Sequence, residues 1–591
     1  MTAAVLPGHR LGRTDERSAE AGPLHDRVLV YGRYILLVPE SGCARCVARR
    51  WQAVRPTEVR EVVETGGATL EAGAWPFANP FVETAVRAVA EATAGGGDVF
   101  TVDAQTLGVQ RLRLIADEEC PVCGHRVPDE PLEWKLAGSP KSAPESFRVH
   151  AAAHYPLDAH SMVSPVCGPF GAHVWSDLAS TSTAAVVGMF HARSDRMLRE
   201  LLYGGHANSY AASLRQGLLE GLERHAGLRA TSKSTTVVAS LDDLGDEALD
   251  PRETGLYSDD FYGAVPFVDP FRPDRPIPWV WGWSFRDRRP VLVPEISVYY
   301  FRSPLRDRFV QECSSGCAIG GTLAEAVYHG LMEVLERDAF LLAWYGGRPL
   351  PEIDPATSAR PQTRMMVDRL AMLGYSARFF DSRVTFDIPV VTGVAERLDG
   401  GFGTLAFGGG ASLDPEAAME AALCEIASDS VKVVSRARRE EPRLRSMVTD
   451  YTKVWDLHDH PLLYALPEMR RHAAFLLDDG PAARSVSDTY AGLRAALPLS
   501  DDIGDDLEMC VRAVAEAGFD VIAVDQTSPM QRDLGLHTAC VIVPGLLPID
   551  FGWARQRVLT MPRLRTAHRE AGVRDSDLSQ EEIHAVPHPY P

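Results

Sequence analysis

Leu218-Leu219-Glu220-Gly221-Leu222-Glu223-Arg224 returns as Leu331-Met332-Glu333-Val334-Leu335-Glu336-Arg337, with leucine, glutamate and arginine kept in the same places. Residues three and four apart share one face of a helix, so each copy predicts a helix that presents two carboxylates with an arginine beside them. Like charges held that close repel unless a cation lies between them. Two such clusters in one chain point to a site that gathers Mg²⁺ around a polyphosphate, because Mg²⁺ takes hard oxygen ligands and phosphate oxygens complete its shell. A single Glu-x-x-Glu-Arg helix is ordinarily a solvated face. The duplication lifts the pattern above that reading.

The approaches to these helices are small and glycine-rich: Gly204-Gly205-His206-Ala207-Asn208-Ser209 before the first, and Ser314-Ser315-Gly316-Cys317-Ala318-Ile319-Gly320-Gly321-Thr322 before the second. Such segments suit close contact with phosphate oxygens. A third, Gly408-Gly409-Gly410-Ala411-Ser412-Leu413-Asp414-Pro415, opens another helix, with Asp414 as N-cap and Pro415 in its first turn. That helix carries Glu420 and Glu425. No Gly-x-x-x-x-Gly-Lys-Ser/Thr occurs, which excludes a P-loop. Gly401-Phe402-Gly403 only begins like a dinucleotide fingerprint, and no Gly-x-Ser-x-Gly or His-Glu-x-x-His is present.

A chain of 591 residues is too long for one core and predicts several domains. Its net charge of −20, with arginines dispersed among acids, argues against nucleic acid as a partner. No apolar run is long enough to span a bilayer and no signal-peptide architecture opens the chain, so the expected location is cytoplasmic. Four of the ten cysteines form two Cys-x-x-Cys pairs, Cys43/Cys46 and Cys120/Cys123. Together they predict a four-sulfur structural zinc site, the competing readings being a redox dithiol and unrelated buried thiols. Residues 1–26 read as a loose arm and 27–137 as the small zinc-binding α/β domain. Residues 138–147, small, polar and proline-punctuated, read as a linker, and 148–591 as the large domain. In that domain β-like runs alternate with the glutamate helices, which predicts a mixed α/β or α+β fold with an internal pseudo-repeat.

The ordered set of Gln216 to Arg224, Ser314 to Thr322 leading into Glu333-Val334-Leu335-Glu336-Arg337-Asp338, and Gly410 to Pro415 leading to Glu425 resembles the ATP-binding motifs of the YcaO family. Val541-Ile542-Val543-Pro544-Gly545-Leu546 is similar to its late strand and turn, so the resemblance spans about residues 150–591. The terminal Pro587-His588-Pro589-Tyr590-Pro591 resembles the tail of those members that build azoline rings in ribosomal peptides, in thiazole/oxazole-modified peptide or thiopeptide biosynthesis. The cysteine pairs resemble the zinc-bearing, partly degenerate ThiF-like domains fused to such cyclodehydratases. The chain departs from the family at Gln216, where many members have Ser, at Ser315, where many have Asn, and near Ser428, where many have Gln.

The resemblance implies an ATP- and Mg²⁺-dependent cyclodehydratase acting on Cys, or Ser and Thr, of a precursor peptide to give thiazolines or oxazolines. It implies ATP and Mg²⁺ on Glu220, Glu223, Arg224, Ser314, Ser315, Glu333, Glu336, Arg337 and Glu425, with Glu223, Glu336 and the Pro591 carboxylate catalytic. The implied partners are the precursor, a separate leader-binding ThiF-like protein and a flavin dehydrogenase, and a homodimer is the default assembly. The alternatives are a YcaO enzyme making a thioamide or amidine, and a catalytically silent scaffold.

Overall fold

The computed structural model describes residues 8–11, 28–31, 34–39, 42–66, 68–71, 79–92, 97–124, 126–136, 138–193, 198–228, 233–265, 268–300, 308–311, 313–478, 480 and 482–590. Three predicted helices organise the chain. The first, Tyr210–Gly227, starts where the Ser209 hydroxyl accepts from the Ala212 N–H. The second, Leu323–Gly346, is capped by Thr322 and ends on Gly347 at φ 59°, whose N–H returns to the carbonyls of Ala343 and Trp344. The third, Pro415–Thr449, starts on the Asp414 cap with proline in its first turn. The second is the most deeply buried, with Val327, Leu331, Leu341 and Leu342 inaccessible. At roughly 1.5–3 kcal/mol for each such side chain, its packing fixes its position firmly.

Each helix is delivered by an edge strand of its own antiparallel sheet. Leu198–Gly205 edges a three-stranded sheet with Val186–Arg193 and Val174–Ser176. Cys317–Gly320 pairs with His537–Ile542 at the edge of a six-stranded sheet, through Ile522–Asp525 to Ile277–Ser284. Leu405–Ala411 pairs with Val390–Arg397 at the edge of a four-stranded sheet. Antiparallel sheets with helices laid across them make this a mixed α+β fold. The β-like run at 290–300 ends early: the strand Arg289–Pro294 gives way to a 3₁₀ turn at Glu295–Ser297.

Near the N-terminus, Val28–Tyr31, Tyr34–Leu37, Val99–Asp103 and Val109–Leu112 form a four-stranded antiparallel sheet. Of the segment expected as a loose arm, Gly8–Leu11 is a strand paired with Ala68–Glu71, and the rest of residues 1–26 lies outside the described residues. The segment expected as a linker is tied down. The Lys141 N–H donates to the Asp501 carbonyl, and Lys141 Nζ meets Asp506 at 2.6 Å with both side chains inaccessible. The same ammonium lies 4.5 Å from the Phe147 ring.

Removing one member of a buried ion pair strands the other. Lys141→Met is therefore expected to lower the unfolding free energy by about 3–5 kcal/mol in urea titrations. The double change Lys141→Met with Asp506→Leu should recover most of that loss; a single variant as stable as wild type would contradict the pairing.

Candidate active site

All three helices use a glutamate in the same way. Gly204 N–H donates to Glu220 Oε2 at 2.8 Å, Gly316 N–H to Glu333 Oε2 at 3.3 Å and Gly409 N–H to Glu425 Oε2 at 2.9 Å. Donor and acceptor are 16, 17 and 16 residues apart, so this is one structural unit used three times. A glycine at each position leaves the helix close enough for a glutamate to reach an edge N–H that no strand covers. At Gly316, φ is +81° and a β-carbon would lie 2.1 Å from the Val541 carbonyl oxygen. The third unit, Leu423-Cys424-Glu425-Ile426-Ala427-Ser428-Asp429, keeps leucine and the first glutamate but carries Ser428 and Asp429 in place of the second glutamate and arginine. That divergence hid the third repeat in the sequence.

The units face one another. Arg224 from the first helix donates to Ser314 Oγ at 2.8 Å, in the approach to the second, and to Glu220 Oε1 at 3.0 Å. Arg337 lies 3.5 Å from Glu333 and 4.0 Å from Glu336. Both arginines thus brace the acids. Burial, with Glu220 and Glu333 adding to it and Arg224 opposing, pushes the Glu223 carboxyl up to about 8. Burial and Glu336 push Glu425 up to about 8 as well, and burial raises Glu333 and Glu336. A set of buried carboxyls this reluctant to ionise is chemically suited to a cation. Glu420, also on the third helix, stands apart from the cluster and pairs with Arg360.

The proline-rich segment runs into this cluster. Residues 586–590 are buried, and three successive carbonyls receive side-chain donors: Val586 from Trp344 Nε1 at 3.0 Å, Pro587 from the Tyr464 hydroxyl at 2.5 Å, and His588 from His460 Nδ1 at 2.9 Å. Gly552 N–H donates to His460 Nε2 at 2.8 Å, so Nδ1 is the nitrogen that carries the proton. Proline at 587 and 589 removes two N–H groups that a buried strand would otherwise have to satisfy. The Tyr590 hydroxyl donates to Glu336 Oε1 at 2.5 Å, and the Arg337 guanidinium lies 4.4 Å from the ring centre. Gly409 makes room for that hydroxyl, since a β-carbon there would come within 1.6 Å of it. Pro591 itself lies outside the described residues. Sequence reasoning missed Trp344, His460, Tyr464 and Tyr590 because the first three sit far from the tail in the chain, and Tyr590 reads as a spacer between prolines.

The four predicted cysteines meet. Cys43 Sγ is 3.7 Å from Cys120 Sγ, Cys46 Sγ is 3.2 Å from Cys123 Sγ, and all four lie within 4.8 Å of one another. A tetrahedral zinc with bonds of about 2.3 Å separates its sulfurs by roughly 3.8 Å, so the set fits that ion. Asp117 N–H points at Cys46 Sγ at 3.4 Å. Burial and the crowding thiols push Cys46 up, and burial takes Cys123 up to about 11. A cation relieves that crowding.

A family model described as YcaO cyclodehydratase, ATP- and Mg²⁺-binding, matches residues 204–547. An uncharacterized protein of Methanothermobacter thermautotrophicus is 25% identical over 353 residues, covering 58% of this chain and 81% of that relative. Among solved structures, a heterocyclase in complex with substrate and cofactor matches with a TM-score of 0.71 at 24% identity, over 95% of this chain and 77% of that one. The heterocyclase TruD matches with a TM-score of 0.62 at 23% identity, over 95% and 74%. At these identities the two likenesses show a shared fold. No described helix is long and apolar enough to cross a membrane.

Glu223 and Glu425 hold protons up to about pH 8 when folded, against an ordinary value of 4.5, so the folded state binds more protons than the unfolded one between those limits. Without divalent cation the melting temperature is therefore expected to fall as pH rises from about 4.5 to about 8. Bound Mg²⁺ needs the ionised carboxylates, so saturating MgCl₂ should add more stability at pH 8 than at pH 6. Equal increments at the two pH values would contradict the assignment.

Proposed function

Because the chain belongs to the YcaO cyclodehydratase family, whose description is ATP and Mg²⁺ binding, we propose that this enzyme closes azoline rings in a ribosomal precursor peptide by phosphorylating a backbone amide oxygen. The observation that carries the reading is the convergence of three glycine-anchored glutamate helices, with a proline-rich segment seated on the second helix through Glu336 and Arg337 and against Gly409 of the strand that delivers the third. In this reading Glu333 and Glu425 spend one oxygen on a glycine N–H and keep the other for a cation. Glu223, which accepts no hydrogen bond from a described residue, and Glu336 supply further oxygens. Glu220, held by both Gly204 and Arg224, orients the first helix. Bound Mg²⁺ offsets the charge of the ATP phosphates and so lowers their repulsion of an incoming oxygen.

The peptide's Cys thiol, or a Ser or Thr hydroxyl, adds to the carbonyl carbon of the preceding amide. The carbonyl oxygen takes the γ-phosphoryl group from ATP. The amide nitrogen then loses its proton as the C=N bond forms and phosphate departs, giving a thiazoline or oxazoline with ADP and phosphate. Oxide is a poor leaving group and phosphate a good one, which is why ATP is consumed. In this reading Ser314 and Ser315 supply donors for phosphate oxygens, with Arg224 and Arg337, which brace the acids, adding positive charge beside them. The Pro591 carboxylate, following the fixed Tyr590, takes the proton of the attacking thiol. A separate leader-binding ThiF-like protein, and a flavin dehydrogenase where rings are aromatised, complete the pathway in this reading. The four-cysteine cluster takes a structural Zn²⁺.

With Mg-ATP, precursor and leader-binding partner, each modified residue is expected to lose the mass of one water, and Glu223→Gln to lower the rate by about 10²-fold or more. No mass loss, with wild type and variant alike, would leave only a scaffold. Chelation of zinc is expected to increase hydrogen exchange in residues 42–53 and 115–124 while the glutamate helices stay protected; metal analysis finding no zinc in folded protein would overturn the zinc assignment.

A further inference from the structure

Beside the carboxylate cluster lies a cleft of about 700 Å³, part of it open to solvent, that no step above uses except through Ser315 and Arg337 in its lining. One wall is Cys313 and Ser315, flanking the Ser314 that holds Arg224. A second is Val334 and Arg337 of the second helix, and a third is the end of the strand His537–Ile542 with the turn after it. Whatever fills the cleft therefore touches Arg337, whose other neighbours are Glu333, Glu336 and the Tyr590 ring. In the reading above, the cleft adjoins the place where phosphoryl donor and acceptor meet, through Ser315 and Arg337.

The lining decides what fits. Ile296, Val310, Val541, Val543 and Leu546 make it aliphatic. Its two cations are already matched. Arg557 grips Asp550 through contacts of 2.8 and 3.0 Å, and Arg337 is held by its glutamates. A charged side chain would meet no free counter-charge among the described lining residues and would lose its water. No aromatic ring is among the described lining residues, so a nucleobase would find no stacking partner among them. Gln311 also lines the cleft, and its Oε1 is buried without a hydrogen bond from any described residue. An orphaned acceptor in an apolar wall is matched by an N–H donor arriving with a ligand.

We propose that this cleft is a peptide subsite: it takes the uncharged, aliphatic side chain of the residue whose carbonyl is phosphorylated, and Gln311 Oε1 accepts a backbone N–H of the same peptide. The inference rests on the peptide-modifying reading above and adds a specificity element to it. The test uses the full chain and capped synthetic peptides Ac-Gly-X-Cys-Gly-Gly-amide with X as Leu, Val, Asp or Lys. Binding is read without turnover by ligand-observed NMR, and turnover by mass with Mg-ATP, the leader-binding partner and a precursor carrying the same X before its reacting residue. Leu and Val peptides should bind about 10-fold or more tighter than Asp and Lys peptides. Gln311→Leu, nearly isosteric, and Leu546→Phe, which narrows the cleft, should each weaken peptide binding by about 10-fold and leave the KM for ATP and the melting temperature unchanged. Binding indifferent to X and to both variants would overturn the proposal, and so would a raised KM for ATP with peptide binding intact, which would place the base in the cleft. Binding with this preference, while the precursors with their partner never lose water, would remove the cyclisation reading and keep the subsite. Water loss without any preference would remove the subsite alone.

Discussion

A glycine N–H on a sheet edge, satisfied by a glutamate from the helix that follows, is the contact on which the site depends. It occurs three times, at Gly204–Glu220, Gly316–Glu333 and Gly409–Glu425. An edge N–H buried beneath a helix is costly to leave unpaired, so the glutamate stabilises the strand while being held in one orientation. At Glu333 and Glu425 the second oxygen is left to the cluster, while that of Glu220 accepts from Arg224. Three sheets that share no strand are thereby made to deliver acids to one place, and the mutual repulsion of those acids is what a bound cation relieves.

The proline-rich segment is the complement of its socket. It offers carbonyls and few N–H groups, and the wall that receives it offers donors: an indole, a phenol and an imidazole of fixed tautomer. The His460 and His588 rings stack at 4.1 Å, and burial drives both below the ordinary histidine range, which favours the neutral rings that such a stack needs. Seating this segment brings Tyr590 onto Glu336 and Arg337, which couples the order of the tail to the geometry of the second helix.

What was legible in the sequence was what repeats at helical spacing or pairs at metal spacing. Glu220, Glu223, Glu333 and Glu336 announced themselves by duplication, and the two Cys-x-x-Cys pairs by their form; the structure brings each set together. The glycine approaches were also visible, but as presumed phosphate contacts, whereas their observed partners are the glutamates themselves. The third unit was half visible, because Glu425 survives while Ser428 and Asp429 break the motif. Long-range partners had no signal. Trp344, Tyr464 and His460 lie 242, 123 and 128 residues from the carbonyls they hold, and nothing local distinguishes them from core residues. The same holds for Lys141, whose composition-poor segment read as a tether but docks onto Asp506.

The central claim is that phosphoryl transfer to a peptide amide oxygen, and not simple ATP hydrolysis, is the chemistry of the glutamate cluster. It is tested most directly with a precursor peptide carrying ¹⁸O at the carbonyl preceding the reacting residue, the products being read by ³¹P NMR and mass spectrometry. The account predicts that each ring closed sends its ¹⁸O into inorganic phosphate. Ring closure with unlabelled phosphate, the label passing to water, would contradict it.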